Sequence, residues 1–304
     1  MRILLTGVTS MIGTALAKQL LASGHSVVGV ARNGSAKAKE LGELANAEIV
    51  YSNMADYKTL SDKVNGQIDA AVLMAWNGTR GKERMDADMQ QKNEADNAAL
   101  LPELLKLGCH TIMTAGSQAE YGPWQSESAQ TEEAEPCPNT EYGKSKLRFY
   151  RAADIFCCER GVRLIEPRFF SLYGPEDHAN TLIMSLLRSM LRHEPCNMTA
   201  CVQLWDYLYI DDAARGLVKL LTENHASGVY NFGSGDCRQL KAYVEEMHRV
   251  TKSTSELRYG AIPYPPTGMV SIHPSVDKLR ATGWRPQVSF EQGIRQIMDT
   301  VNFA

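Results

Sequence analysis

Short apolar, β-rich runs alternate along this chain with helical patterns, and that alternation restricts the fold more than any other feature. Arg2 to Leu5 is β-rich; Thr6-Gly-Val-Thr-Ser-Met-Ile-Gly13 follows at once and leads into the amphipathic segment Thr14 to Ala22. Further strands are expected at Ser26 to Ala31, Glu48 to Tyr51 and Ala70 to Met74, with helices at Tyr57 to Val64 and, in spite of Pro102, at Asp86 to Leu107. Thr111 to Gly122 reads as a buried strand running into a loop, and Tyr142 to Glu159 as a helix. Strands separated by helices pack as a parallel sheet covered on both faces, so the expected class is α/β with a doubly wound sheet.

Ligands of such a sheet sit in the crevice at the carboxyl ends of the strands. Those ends carry Gly7, Arg32, Asn53, Trp76 and Ser117. The Gly7 to Gly13 turn lies between a strand and a helix, where backbone amides can approach a pyrophosphate with the positive end of the helix behind them. This is the pattern of a Rossmann-type dinucleotide site, although Ser10 stands where a third glycine is usual. Its Cβ intrudes near the phosphates, while its hydroxyl can donate to one. The second strand ends in Arg32-Asn33, and no Asp or Glu occurs from Ser26 to Ser35. A carboxylate there would grip the ribose hydroxyls of NAD, whereas a guanidinium clamps a 2′-phosphate. NADP(H) is therefore favoured, with NAD(H) left open.

Tyr142 and Lys146 are four residues apart in Glu-Tyr-Gly-Lys-Ser-Lys-Leu147 and share one helical face. An ammonium beside a phenol favours the phenolate, so Tyr142 is expected to exchange protons nearer neutrality than a free tyrosine. Ser117 is delivered where the preceding strand ends.

After Pro167 the pattern changes. A helix facing a cleft is expected at Glu176 to Pro195, short strands at Asn197 to Leu208, helices at Asp211 to Thr222 and Gln239 to Thr251, a loop marked by Pro263, Pro265, Pro266 and Gly268, and a last helix at Glu291 to Val301. The expected division is a dinucleotide-binding domain at 1–167 and a smaller C-terminal substrate-binding lobe at 168–304. Segments near 205–233, including Val229 to Phe232, return to the first domain.

Taken in order, these motifs resemble the extended short-chain dehydrogenases/reductases, the family of nucleotide-sugar epimerases, dehydratases and ketoreductases, over nearly the whole chain. The resemblance rests on the Gly7 to Gly13 turn, Ser117 four residues before Tyr121-Gly122, Tyr142-Gly-Lys-Ser-Lys146, Pro167-Arg-Phe-Phe-Ser-Leu-Tyr-Gly-Pro175, Trp205-Asp-Tyr-Leu-Tyr-Ile-Asp-Asp212 and Tyr230-Asn-Phe-Gly-Ser-Gly235. It implies that Tyr142 exchanges the proton on the sugar C4 oxygen, that Ser117 hydrogen-bonds that oxygen, and that Lys146 holds the nicotinamide ribose. Asn93 matches an asparagine that supports this set. The implied cofactor contacts are Gly7, Thr9, Ser10, Met11, Ile12, Gly13, Arg32, Asn53, Met54, Ala75, Asn93, Tyr142, Lys146 and Pro167.

Departures from the family pattern narrow the chemistry. Dehydratases place an Asp-Glu pair after the hydroxyl residue; here Gln118-Ala119 occupy those positions and Glu120 comes one place too late. His178 lacks the cysteine partner that epimerase-reductases of the fucose-synthase kind use. Ser171 replaces a family Asn and Trp205 a family Arg, both of which help hold the nucleotide diphosphate; Gln203 and Trp205 offer an amide and a stacking face instead. The loop Trp76-Asn-Gly-Thr-Arg-Gly-Lys-Glu-Arg84 is expected to shape one wall of the substrate pocket. Trp76-Asn-Gly and Ser117-Gln-Ala-Glu-Tyr121 are similar to the CDP-abequose and CDP-paratose synthase branch of 4-ketoreductases. Trp76, Gln118, Ser171, Gln203 and Trp205 are thus the expected substrate contacts.

The expected activity is reduction at C4 of a nucleotide-linked 4-keto-deoxyhexose. A 4-epimerase with tightly held NAD and a non-catalytic dinucleotide sensor are the alternatives. The net charge of -3 gives no reason to expect a nucleic-acid or anionic-membrane partner. Seven scattered cysteines without a repeated C-x-x-C pair, and the absence of an apolar run long enough to span a bilayer, suggest a cytoplasmic protein with reduced thiols. No metal site is expected. The helices Asp86 to Leu107 and Tyr142 to Glu159 are the pair that forms a homodimer interface in this family.

Overall fold

The computed structural model describes residues 1–124, 128–264 and 269–303. Strand β1 (Arg2–Thr6) is followed by α1 (Met11–Ala22), β2 (Ser26–Ala31), α2 (Ala36–Gly42), β3 (Ala47–Tyr51), a 3-10 segment at Met54–Lys63 and β4 (Ala70–Leu73). A 3-10 turn at Gly81–Met85 leads to α3 (Ala87–Lys106), β5 (Thr111–Thr114), β6 (Gly116–Ser117), α4 (Glu141–Cys158), β7 (Arg163–Phe169), β8 (Ser171–Tyr173) and α5 (Leu182–Leu191). The chain continues through β9 (Cys196–Met198), β10 (Leu204–Trp205), β11 (Tyr207–Tyr209), α6 (Ile210–Thr222), β12 (Gly228–Phe232), β13 (Arg238–Gln239), α7 (Leu240–Thr251), β14 (Leu257–Tyr259), α8 (Asp277–Ala281) and α9 (Phe290–Thr300).

Eight strands form one parallel sheet in the order β12-β7-β5-β4-β1-β2-β3, with β6 also beside β7. The pleat sends alternate residues to opposite faces. Ile3, Leu5, Val27, Val72, Met113 and Ile165 join α1 and α6 in one core. Leu4, Val28, Ala71, Ile112 and Leu164 join α3, α4 and the 3-10 segment in the other. Burial on both faces explains why these strands read as continuous apolar runs rather than as alternating ones.

A third core lies over the carboxyl ends of the strands, where Tyr173, Tyr207, Tyr243 and Phe290 pack ring to ring. Three two-stranded sheets, β8 with β11, β10 with β13 and β9 with β14, frame it. β7 carries a proline inside a sheet without losing a ladder bond to it. Pairing with β5 ends at Ile165 and pairing with β6 begins at Arg168, so Pro167 falls in the gap.

Two expected helices differ from their sequence reading. Of the residues expected as a helix at 57–64, 57–63 lie in a 3-10 segment broken at Thr59 (φ -131°), whose hydroxyl donates to the Asp56 carbonyl at 3.2 Å and competes with helical bonding. The helix expected from Glu176 begins only at Leu182. Ahead of it, the His178 amide donates to its neighbour Asp177 and the Asn180 amide to the His178 ring, which holds the chain in turns. The short helices α2 and α8 fall in stretches with no sequence assignment. Of the expected loop markers, Pro265, Pro266 and Gly268 lie outside the described residues.

Candidate active site

Two cavities meet at Ser10, Met74 and Trp76 along the carboxyl ends of the sheet. The first, about 460 Å³, is lined by Gly7, Thr9, Ser10, Arg32, Asn53, Met54, Ala75 and Trp76, together with Ser52, Tyr57, Lys92 and Asp96. The turn at its floor is closely packed: a Cβ on Gly13 would stand 2.2 Å from the Gly7 carbonyl oxygen, so the helix meets the strand there only through glycine. Ser10 caps α1 by accepting the Gly13 amide at 3.0 Å, and its own O–H remains free to donate. The amides of Met11 and Ile12 have no acceptor among the described residues. They are the orphan donors of a helix start, suited to an anion.

Arg32 is exposed at the end of β2 and makes no ion pair among the described residues. It lines a further hollow with Asn33, Gly34, Ser35 and Asn53. An unpaired guanidinium flanked by an amide and a hydroxyl fits a phosphate group. Cleft, amides and guanidinium together fit a dinucleotide.

The second cavity, about 560 Å³, is lined by Met11, Ile12, Trp76, Ser117, Gln118, Tyr142, Lys146, Ser171 and Trp205 from the sequence reading. Thr79, Arg80, Arg84, Phe169, Phe170, Leu172, Asp177, Thr181 and Tyr207 are among its other lining residues. Helix α4 brings Tyr142 here because Gly143 lets the helix touch the turn after Ser117: a Cβ at that position would stand 2.3 Å from the Ala119 carbonyl oxygen. Thr140 caps the helix by accepting the Gly143 amide at 3.1 Å. One turn on, Lys146 donates to the Ala115 carbonyl at 2.8 Å, in the break between β5 and β6, with its Nζ 3.9 Å from the centre of the Trp76 ring.

The electrostatics of the pair correct one expectation. Lys146 does not bring Tyr142 toward neutrality; burial dominates and pushes the phenol above its ordinary value, opposed by the nearby Ser117 hydroxyl and by the Arg84 guanidinium, 4.8 Å from the ring centre. The Lys146 Nζ stands 5.9 Å from the same ring centre. Burial lowers Lys146 itself to about 8, while Glu120 and Glu166 pull it upward. At neutral pH the cavity thus holds a protonated phenol beside a cation, an arrangement suited to giving a proton.

The wall formed by residues 76–85 is fixed from behind. Asn93 accepts the Asn77 amide at 3.1 Å and donates to the Asn77 carbonyl at 2.9 Å; Gln90 accepts the Trp76 indole N–H at 2.7 Å and donates to the carbonyls of Gly78 and Glu83. Asn93 therefore lies behind the site, lining neither cavity. Gln90 and Arg84 were not singled out in the sequence. Arg84 lies at the end of the polar loop already marked as a wall, but only the fold of that loop turns it over Tyr142.

A sequence profile described as the NAD dependent epimerase/dehydratase family matches residues 3–233. The chain belongs to this family. Among characterised relatives it is similar to CDP-abequose synthase of Salmonella muenchen, 26% identical over 98% of this chain and 97% of the relative. It is also similar to UDP-N-acetyl-alpha-D-glucosaminuronate decarboxylase of Bacillus cytotoxicus, 24% identical over 97% and 96%. The fold superposes on UDP-glucose 4-epimerase of Thermotoga maritima with a TM-score of 0.88, at 21% identity over 99% of this chain and 98% of that one. The protein is thus an NAD(P)-dependent enzyme of the nucleotide-sugar-modifying epimerase/dehydratase family. Among the described residues, no helix is long and apolar enough to cross a membrane.

Besides Asn93, three expected contacts of this family member, Gly13, Pro167 and Gln203, fall outside both cavities. Pro167 lies within β7, on the opposite face of the pleat from Glu166 and Arg168. Gln203 is buried with its amide oxygen accepting the Tyr264 hydroxyl at 2.8 Å and its backbone carbonyl accepting the Leu240 amide, so it is spent on holding the lobe together. Trp205 does line the substrate cavity, tilted against Tyr207, and its indole N–H is buried with no acceptor. Gly13 supports the turn without lining a cavity.

Proposed function

We propose that this enzyme reduces the 4-keto group of a nucleotide-linked deoxyhexose with NADP(H). The observation that carries the reading is the convergence of Ser117 and Tyr142 on one cavity, the phenol kept protonated by burial and Gln118 following Ser117. Its one lining carboxylate among the described residues, Asp177, is paired with Arg80 at 3.0 Å. A general acid is present, and no carboxylate is free for eliminating water.

A reduced nicotinamide, when bound, supplies the hydride. Ser117 and Tyr142 hold the carbonyl oxygen, and Tyr142 gives its proton as that oxygen gains negative charge. Preorganised donors of this kind are worth about 3 to 4 kcal/mol each in comparable sites. Lys146 keeps a positive charge at the ribose side of Tyr142 below pH about 8. Thr9, Ser10 and the amides of Met11 and Ile12 hold the pyrophosphate, Asn53, Met54 and Ala75 enclose the adenosine half, and Arg32 takes the 2′-phosphate. Trp76, Gln118, Ser171 and Trp205 contact the sugar nucleotide, and the guanidinium of Arg84 lines the same cavity. The CDP-abequose synthase likeness over nearly the whole chain supports the choice among 4-keto sugars. The proposed assembly is a homodimer through α3 and α4, which pack side by side with Ile155 of α4 62% exposed.

The test begins with protein purified without added cofactor, denatured so that any released dinucleotide is identified. The stripped protein is then titrated with NADPH and NADH and assayed for NADPH oxidation with nucleotide-linked 4-keto-6-deoxyhexoses. An empty protein that prefers NADPH and oxidises it is the expected result. Tightly retained NAD with no net oxidation would replace this reading with a 4-epimerase.

A further inference from the structure

Beneath the catalytic cavity, three charged side chains that the proposed reaction does not use are buried together. Glu120 is 0%, Glu166 1% and Arg168 2% exposed. The Arg168 Nε stands 2.7 Å from Glu166 Oε1 and 3.2 Å from Glu120 Oε2. The guanidinium is enclosed by Tyr121, 4.4 Å to the ring centre, and Tyr150, 5.8 Å. Space for the cluster is made by Gly116, where a Cβ would stand 2.8 Å from Glu166 Cγ and 3.0 Å from Arg168 Cγ.

The cluster is joined to the reacting groups. Glu120 Oε1 accepts the Ser117 amide at 2.7 Å while Ser117 Oγ caps the same turn, so the carboxylate and the catalytic hydroxyl are fixed by one backbone. Glu120 and Glu166 both act on the charge of Lys146. The residue that comes one place too late for a dehydratase is turned inward instead.

We propose that Glu120 and Glu166 share one proton, so that the pair carries a single negative charge that neutralises Arg168 once, and that this fixed charge positions Ser117 and sets the charge of Lys146. If both ionise, two buried carboxylates share one guanidinium as their ion-pair partner, since the Lys146 ammonium makes no ion pair with either among the described residues, and burial opposes that state strongly. Glu120 Oε2 is buried without a hydrogen-bond donor, and a proton on Glu166 supplies one. Burial and the neighbouring Glu120 both push Glu166 well above the usual carboxylate range. The other titratable groups facing the cluster are Tyr121 from the turn and Tyr142, Lys146 and Tyr150 from α4. Glu132 acts on Tyr121, Asp154 on Tyr150 and Arg84 on Tyr142 from farther out. Burial raises all three tyrosines, so they stay neutral at pH 7 and do not alter the charge count.

The inference rests on Ser117 and Lys146 belonging to the reacting group, but its test reads Lys146 directly and needs no substrate. Lysines labelled at Cε are titrated by NMR in the full chain, with Lys146 assigned by the signal lost in Lys146→Met. In Glu166→Gln, which mimics the protonated acid, the Lys146 midpoint is expected to stay within a few tenths of a unit of wild type. In the double variant Glu120→Gln/Glu166→Gln, where Arg168 loses both partners, it is expected to fall by about half a unit or more. A fall of that size in Glu166→Gln alone, or none in the double variant, overturns the proposal. Carboxyl-labelled wild-type protein gives a reading independent of how the variants fold. One protonated glutamate at pH 7, lost in Glu166→Gln, is expected; two ionised carboxylates overturn the shared proton.

Discussion

The two cavities that meet at Trp76 are built in opposite ways. The dinucleotide cleft is assembled from the ends of β1, β2 and β4 and the segment after β3, so most of its residues lie within a few positions of a strand visible in the sequence. The substrate cavity draws on the loop after β4, the β5–β6 break, α4, β8, the start of α5 and β10, segments more than a hundred residues apart. Local sequence determines the first; only packing determines the second. A cofactor site can therefore be read from a turn, while the identity of a sugar depends on how distant pieces close around it.

The sharpest way to break this comparison is to remove chemistry from one cavity and ask whether the other notices. Tyr142→Phe removes the proton donor and leaves the dinucleotide cleft intact. Turnover with a 4-keto substrate is expected to fall by about 10² to 10⁴-fold, with NADPH affinity changed by less than about threefold. Single-turnover oxidation of NADPH together with a binding titration measures both. Retained turnover would sink the mechanism, and a parallel loss of binding would mean that the cavities are not separable.

Arg32→Ala does the converse. A charge-assisted contact to a 2′-phosphate is worth about 1.5 to 3 kcal/mol, so NADPH affinity should weaken roughly 10- to 100-fold. NADH affinity should hardly move, and the rate at saturating NADPH should be kept. Equal losses for both nucleotides would remove Arg32 from cofactor choice.

Legibility follows the same division. The spacing of Tyr142 and Lys146 was visible because a helix converts it directly into a shared face, and Ser117 because a strand ends there. The effect of Lys146 on Tyr142 was not. A sequence reading has no access to the burial that raises the phenol, nor to the Trp76 ring and Ala115 carbonyl that hold the ammonium away from it. Glu120 could be seen to be misplaced for a dehydratase, but its inward direction follows from the capping box of a three-residue turn and from the room left by Gly116. Gln203 failed as a contact because Tyr264, sixty-one positions away, takes its side chain. For Tyr142 and Gln203 the missing information is a long-range contact, whereas for Glu120 it is the conformation of a short turn together with the room beneath it.

Lys146 sits where the cavities join, and its titration gives a smaller effect. Its folded value of about 8 lies below its ordinary 10.5, so the folded chain binds fewer protons between those limits. Burial of the ammonium opposes folding below pH about 8, and that opposition is relieved as pH rises toward 10.5. Binding runs the other way: above pH about 8 the ribose loses its charged partner, and NADPH affinity should decline by at most about tenfold per pH unit. Lys146→Met should bind more weakly and without that alkaline decline. A wild-type profile flat to pH 10 would place Lys146 outside the cofactor contacts.

The smallest expected effect concerns the strap that ties α2 to the loop after β4. Glu176 pairs with Lys37 of α2 at 2.6 Å, and the adjacent Asp177 pairs with Arg80 of the substrate-side loop at 3.0 Å. The first pair is open to solvent, with side chains 47% and 36% exposed, so screening and side-chain entropy leave it about 0 to 1 kcal/mol. Glu176→Gln should lower stability by no more than that in a denaturant titration, with an effect that fades as salt is added. The Asp177 side chain is only 5% exposed and also accepts the His178 amide, so Asp177→Asn should cost more and depend less on salt. If the two variants behaved alike, the strap would be a solvated surface feature throughout. The expected difference instead assigns the firm end of the strap to the substrate cavity, which Arg80 and Asp177 line and where the chain arranges its distant pieces, and the loose end to the outer side of α2, which lines neither cavity.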